Sequence, residues 1–546
     1  MESLKSYLAR LLLNSTHRGD MDDVSCKNSD RRWWKEAIVY QIYPASFLDT
    51  DADGVGNIDG IIAKLDYLKE LGVGILWVSP IYESPQKDMG YDISNYCDIH
   101  RPYGTLDDVH RLISELRLRN MKLIMDLVVN HTSDQRKPKY DEEGKRQPPN
   151  NWCGLFNEME SAWTYDSKTD EYYLSLFSPL QPDLNWENPH VREEGVSGFR
   201  MDVINFISKD PRFPDAEIIY PSRRYQPAEK YFANGARLIE YLQGMKRAVL
   251  SKYDTLTVGE MLYLDNEEER LEIVRAEEGA LNMIFTFEMI SLDIVLEEGR
   301  FSFKSWTVDD LRNVMEKSHR MITQKGWHTL FCENHDQPHS VSRFCDDSDE
   351  HRVAGTKLLS IMQTSLPGTL YLYQGEELGM RNTPSSWGPE EYKDIESVNY
   401  WKHMCKKFSE GSAEMDKAKH LLHLKARDNA RTPMQWDSTS NGGFCPAEVK
   451  PWMRVNDDYT VVNAAIQVSA GRADGRSMLV PPYRFWQQSI ELRKRHVDLF
   501  DPHPTVFAFK RKCNLEESIT ILNFSRKEAD FTLPVGIKVQ FWALGS

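Results

Sequence analysis

From Trp33 onward the chain alternates short apolar runs with amphipathic helical stretches, and it does so eight times. This is the pattern of parallel β/α units, whose strands are buried on both faces and whose helices are buried on one. The apolar runs are 37–47, 74–80, 122–130, 198–203, 255–261, 282–289, 328–336 and 369–377. Between them, Ile58, Ile61, Ile62, Leu65 and Leu68, and then Val109, Leu112, Ile113 and Leu116, recur at helical spacing. Helices are also expected over 236–250, 353–366 and 484–496. Eight such units predict an α/β fold, a (β/α)8 TIM barrel. Residues 131–184 break the rhythm and read as a second domain inserted after strand 3, because a structureless loop of that length is uncommon in a compact domain. The tail alternates in a β manner and predicts a small C-terminal antiparallel β domain. The expected organisation is an unstructured extension over 1–32, the barrel over 33–130 and 185–497, the insertion over 131–184 and the β domain over 498–546.

At 546 residues the chain has room for a barrel and its appendages. Its net charge of −16, without a basic stripe, argues against a nucleic-acid partner. Eight scattered Cys, with no CxxC pair, point to a reducing compartment, and a cytoplasmic monomer is expected. The apolar run at the start is broken by Arg10 and carries no cleavage-like site, and no stretch approaches the roughly 18 apolar residues of a membrane span, so no membrane partner is expected. Aromatic residues make up 11%, which suits both a large core and a pocket that stacks sugar rings.

Four polar clusters fall at the carboxyl ends of predicted strands, where barrel enzymes keep their chemistry. They are Asp126 to Asn130-His131, Gly198-Phe-Arg200-Met-Asp202, Val258-Gly-Glu260 and Glu333-Asn-His335-Asp336. A single acid at a strand end is commonly a helix cap, but four clusters converging on one barrel mouth are hard to explain that way. Glycoside hydrolysis needs one carboxylic acid to protonate the leaving oxygen and a carboxylate to meet the developing oxocarbenium ion. Arg200, two residues before Asp202, shares its strand face and can hold it ionised. Asn130, His131 and His335 stand where they could bond sugar hydroxyls.

In order and spacing these motifs resemble glycoside hydrolase family 13, the α-amylase superfamily, over most of residues 33–525. Gln181-Pro-Asp183-Leu-Asn185 and Arg427-Asp-Asn-Ala-Arg431-Thr-Pro-Met-Gln-Trp436 resemble its oligo-1,6-glucosidase and maltase branch. The resemblance implies Asp202 as nucleophile, Glu260 as acid/base and Asp336 as transition-state stabiliser. It also implies a glucose subsite of Asp88, Tyr91, Asp126, His131, Arg200 and His335 with Arg427 or Arg431, and Phe177 as a sugar platform. Val203, after the nucleophile, resembles the isomaltase-like members and implies α-1,6 preference. The substrates implied are short oligosaccharides with terminal non-reducing α-linked glucose. A maltase or sucrase with the same residues is the alternative, as is a catalytically impaired or non-enzymatic isoform of the same fold, akin to the transporter heavy chains. The chain keeps all three carboxylates, which such relatives commonly lose.

Asp49, Asp51, Asp53, Val55 and Asn57 have the alternate-position spacing of a Ca2+ loop. Gly60 at the twelfth position excludes an EF-hand, and the stretch resembles the branch's calcium loop, with Val55 offering its carbonyl. Asn57 stands where many relatives have Asp, so weaker binding is expected. No organic cofactor is expected. The stretch 188–198 is shorter than the helix-bearing connection of relatives, which predicts uncovered apolar strand surface beside Asp202. Phe500-Asp501-Pro502 and 539–546 likewise read as shortened.

Overall fold

The computed structural model describes residues 32–131, 135–136, 139–140, 146–157, 159–167, 171–184, 198–470, 480–493, 496–499, 505–513, 516–525 and 527–532. Its centre is a parallel sheet of eight strands. These are β1 (Ile38–Ile42), β2 (Ile75–Val78), β3 (Lys122–Val128), β4 (Phe199–Asp202), β5 (Thr257–Glu260), β6 (Met283–Phe285), β7 (Thr329–Leu330) and β8 (Thr369–Tyr373). They run in the order β6-β5-β4-β3-β2-β1-β8-β7, and a parallel bridge between Ile284 and His328 joins the two edges, closing the barrel. All eight predicted strands are present, although β7 regular pairing covers only two residues of the run 328–336. Beyond Leu330 the chain turns outward to carry Glu333 to Asp336 over the mouth.

Outer helices form where the apolar spacing places them. The first predicted helix divides at Lys64 into α1 (Ile58–Ala63) and α2 (Leu65–Leu71). The next, α3 (Leu106–Leu118), starts at a capping box of Thr105 and Asp108 and buries Val109, Leu112 and Leu116. After β4 comes α4 (Leu238–Ala248). The helix expected over 484–496 runs instead over Pro482–Leu492, because Pro482 sets its first turn and the chain then enters a strand, His496–Leu499.

Between β3 and β4 a three-stranded antiparallel sheet joins Gln135–Arg136, Glu171–Leu174 and Trp163–Asp166. A second antiparallel sheet, of His496–Leu499, Val506–Cys513 and Glu516–Asn523, follows the barrel, and its Phe507, Phe509 and Leu522 join the main hydrophobic core. No helix among the described residues is long and apolar enough to cross a membrane.

The extension up to Arg31, most of the short 188–198 connection, Asn185, Phe500-Asp501-Pro502 and 539–546 lie outside the described residues. Among the described residues, the apolar side chains of β4, the strand that carries Asp202, are covered and not exposed as expected. Phe199 and Met201, which alternate with Arg200 and Asp202, are only 4% and 0% exposed. They belong to a cluster with Leu238, Tyr241 and Leu242 of α4, so the helix after β4 covers the outer face of that strand.

Candidate active site

In the ladder between β3 and β4, Arg200 is the register partner of Asp126, so both side chains leave the barrel wall at one level. Two residues on, Asp202 emerges on the same face, and Glu260 ends the neighbouring strand β5. Arg200, 1% exposed, binds all three carboxylates: Nη1 lies 2.5 Å from Asp126 Oδ1 and 2.6 Å from Asp202 Oδ1, and Nη2 lies 2.5 Å from Glu260 Oε2. The planar fork of an arginine makes such a shared arrangement possible.

One cation cannot keep three buried carboxylates ionised. Burial pushes Glu260 up to about 8 in spite of Arg200, with the Asp202 charge adding to the effect. Burial likewise lifts Asp126 to about 6 against Arg200. It also opposes ionisation of Asp202, but Arg200 and the His131 contact outweigh it and hold that carboxyl below the ordinary range. His131 Nε2 is 3.7 Å from Asp202 Oδ2. Two neighbouring carboxyl groups are thus driven in opposite directions, as acid and nucleophile require.

Asp336 stands across the mouth at the end of the β7 loop. Arg431 Nη2 and Arg427 Nη1 lie 2.7 Å and 3.1 Å from its Oδ1, and His335 Nε2 lies 3.4 Å from Oδ2. Burial disfavours its charge, yet the His335 imidazole as hydrogen-bond donor and the guanidiniums of Arg427 and Arg431 as charges hold it well below the usual carboxylate range. Gln41 donates to His335 Nδ1 at 2.7 Å, which leaves the proton of the imidazole on Nε2, facing Asp336. Burial lowers His335 to about 3, so it acts as a neutral donor.

Of the expected subsite residues, Tyr91 stacks on His335 with centroids 5.1 Å apart, and its hydroxyl donates to Asp126 at 3.4 Å. Asp88 accepts from Gln181 at 2.8 Å and lies 3.6 Å from Arg427 Nη2, while its Oδ1 is buried without a hydrogen-bond donor. Phe177 packs edge-on against His131 at 4.9 Å, at the junction of insertion and barrel. Val203, 5% exposed, sits at φ 32°, and its N–H donates to Glu260 Oε2 at 3.3 Å. A β-branched residue in the left-handed region is strained, and this backbone turns the amide toward the Glu260 carboxyl.

The structure also shows what the 181–185 motif does. Gln181 holds Asp88, and Asp183 accepts from Asn130 at 2.9 Å and lies 3.1 Å from Lys209, pinning the insertion to the β3 end. Missed in the sequence were Trp77, whose Nε1 donates to Asp126 at 2.7 Å, and Asp394, which joins Arg427 and Arg431 at 3.1 Å and 2.9 Å. Asp394 precedes the helix Ile395–Lys407 and looks locally like a cap, a role it also fills by accepting from Glu396 N–H.

In the loop that leaves the carboxyl end of β1, carboxylate oxygens of Asp49, Asp51 and Asp53 lie within 4.8 Å of one another. Asp49 accepts from the N–H groups of Asp51, Ala52 and Gly54. Burial, with Asp49 and Asp53 nearby, raises Asp51. An oxygen-only, acidic donor set of this kind suits a hard divalent cation. Asn57 Oδ1 instead accepts from Gly60 N–H and the Thr50 hydroxyl, both at 2.8 Å, capping α1. Val55 N–H donates to Asp53 at 2.8 Å.

Residues 41–501 match the catalytic domain of alpha amylase. An alpha-glucosidase of Schizosaccharomyces pombe is 43% identical over 547 residues, covering 92% of each chain. An oligo-1,6-glucosidase of Parageobacillus thermoglucosidasius is 44% identical over 543 residues, again covering 92% of each. Among solved structures, the trehalose-6-phosphate hydrolase of Bacillus licheniformis superposes with a TM-score of 0.82 at 36% identity, covering 93% of this chain and 94% of that one. Family match, full-length relatives and a barrel with carboxylates at its mouth agree: the chain belongs to the alpha-amylase family of glycoside hydrolases and is a glycosidase acting on α-glucosides.

Proposed function

We propose that the chain is a retaining α-glucosidase that removes terminal non-reducing glucose from short oligosaccharides and prefers α-1,6 linkages. The observation that carries this reading is Arg200 joining a carboxyl held ionised to one pushed up to about 8. The terminal glucose would sit among Asp88, Tyr91, His131, His335 and Arg427, with Phe177 as a platform at the entrance. Asp88 Oδ1 supports that placement: Arg427 Nη2 stands 3.6 Å away as its ion partner, but no donor hydrogen-bonds to it, and a sugar hydroxyl would supply one. Glu260 donates its proton to the glycosidic oxygen while Asp202 attacks C1, giving a glucosyl ester. Glu260, now ionised, takes a proton from water, which attacks C1 and releases glucose with its configuration kept. Asp336, held ionised by Arg427 and Arg431, stabilises the oxocarbenium-like transition state.

Linkage preference rests on Val203, next to the nucleophile and against the acid. The test is kcat/KM on isomaltose and on maltose, for the wild type and Val203→Ala. Preference for isomaltose is expected, and the substitution should move the ratio toward maltose by about 10-fold, the scale of one or two methyl groups in a pocket. Equal ratios in both proteins would overturn the assignment of linkage to Val203. Cleavage of neither sugar would overturn the glucosidase reading.

We also propose that Asp49, Asp51 and Asp53 hold a structural Ca2+ that stiffens the turn before α1. At 100 times its Kd such an ion adds about 2.7 kcal/mol of stability. EDTA should therefore lower Tm, Ca2+ should restore it, and Asp53→Asn should remove the response. A Tm indifferent to both would mean that Asx turns alone hold the loop. The free thiols of Cys332, Cys345, Cys405 and Cys445 support a reducing, cytoplasmic setting, and the enzyme is read as a monomer.

A further inference from the structure

Behind the mouth lies an ion triad that the reaction as derived does not use. Asp293, on the chain leaving β6, is 1% exposed. Its Oδ1 is 2.5 Å from Arg343 Nη2 and its Oδ2 is 2.5 Å from Lys425 Nζ, all three side chains being buried. Arg343 belongs to the short helix Ser340–Phe344 after β7, and Lys425 ends the helix Ala413–Lys425 after β8. One carboxylate therefore joins the segments that follow three consecutive barrel strands.

Both cations lead to Asp336. Arg343 Nη1 donates to Gln337 Oε1 at 3.0 Å. Gln337 closes the turn that carries Asp336: its N–H donates to the Asn334 carbonyl at 3.0 Å, and Asp336 N–H donates to Asn334 Oδ1 at 2.8 Å. Lys425 also donates to the Asp293 carbonyl, at 3.1 Å, and stands two residues before Arg427, which reaches Asp336 Oδ1 at 3.1 Å. The first link sets where the Asp336 carboxylate stands, and the second sets where its guanidinium partner stands.

Burying three ions is expensive, and apolar side chains of like volume would commonly fill such a space at less cost. What the triad supplies is direction: Arg343 forks across both oxygens of Asp293, Nη2 to Oδ1 at 2.5 Å and Nε to Oδ2 at 3.3 Å, and Lys425 shares Oδ2, so one carboxylate fixes both cations at a set angle. We propose that Asp293 is a positioning residue for glycoside hydrolysis, holding the Asp336 turn and Arg427 in mutual register. This rests on the reading of Asp336 as the carboxylate that stabilises the transition state.

The test compares Asp293→Asn, the double variant Asp293→Asn/Lys425→Met and Asp336→Asn on an aryl α-glucoside and on a cationic piperidine analogue of glucose. Asp293→Asn should lower kcat about 30-fold with KM little changed, within the range a misplacement of about 1 Å can cost. Affinity for the cationic analogue should fall in step with kcat/KM. Asp293→Asn also leaves two cations without their anion, so its Tm should drop; the double variant removes one of them and should regain Tm while kcat stays low. Recovery of kcat together with Tm in the double variant would show mere structural support and overturn the proposal. Full kcat in Asp293→Asn, with activity lost in Asp336→Asn, would overturn the positioning role alone. Wild-type kcat/KM in Asp336→Asn would remove the role of Asp336 and this proposal with it.

Discussion

Replacing Asp202 with Ala is expected to lower kcat on an aryl α-glucoside by about 10^5-fold, the scale on which loss of a covalent nucleophile acts. Replacing Glu260 with Ala should cost about 10^2- to 10^4-fold on a substrate whose leaving group needs protonation, and far less on an activated aryl glucoside. The two losses are separable by azide. In Asp202→Ala the space left by the carboxylate admits azide to the β face of C1, so the product is β-glucosyl azide. In Glu260→Ala the glucosyl ester still forms on Asp202, and azide displaces it from the opposite face to give the α anomer. Proton NMR of the anomeric hydrogen distinguishes the two. The reverse pattern would exchange the roles of the two residues. Unchanged rates in either variant would end the assignment of that residue.

Much of this centre was legible in the sequence because it is local. Asp202 follows Arg200 by two residues, so strand geometry alone puts them on one face, and Asp126, the register partner of Arg200, is the one acid inside another apolar run. The α3 face, its Thr105 cap and the eight-fold alternation are likewise short-range patterns. The parts that were not legible depend on distant pairs. Asp394 reads as a helix cap until the fold brings it to Arg427 and Arg431, 33 and 37 positions away by number. Gln41 fixes the His335 tautomer across 294 positions, and Trp77 meets Asp126 across 49. Asp293 meets Lys425 across 132. At Phe199 and Met201 the expected bare patch is covered, and for the same reason this was not legible: the shortness of 188–198 is visible in sequence, whereas the packing of Leu238, Tyr241 and Leu242 over these two residues is not. The clustering of Asp49, Asp51 and Asp53 follows from local spacing, but the capping use of Asn57 depends on where α1 begins.

Arg200→Met is expected to cost about 3–5 kcal/mol of stability at neutral pH, because it leaves three buried carboxylates without their shared cation. The cost should depend on pH, and its sign follows from the two kinds of carboxyl present. In the wild type Asp202 is held below its ordinary value, so it contributes stability above the unfolded carboxylate range that is lost as pH falls through the depressed value. Glu260 is the opposite case: its contribution is present below the unfolded value, near 4.5, and is lost as pH rises through about 8. Without Arg200 all three carboxyls shift upward, and the folded variant binds more protons than the wild type. The Tm gap between them should therefore be widest near pH 8 and narrow toward pH 5. Activity should follow the same logic. In the proposed mechanism attack needs Asp202 ionised and Glu260 protonated, so kcat/KM of the wild type is expected to fall above about pH 8 as Glu260 loses its proton. In Arg200→Met the acid limb should move up because Asp202 becomes harder to ionise, the alkaline limb should move up with Glu260, and the maximum should drop. Thermal scans at pH 5 and pH 8, with a kcat/KM profile of any residual activity, check both. A Tm gap that is equal at the two pH values would mean that Arg200 supports the barrel by packing and not by charge, since only the charge couples its loss to protons.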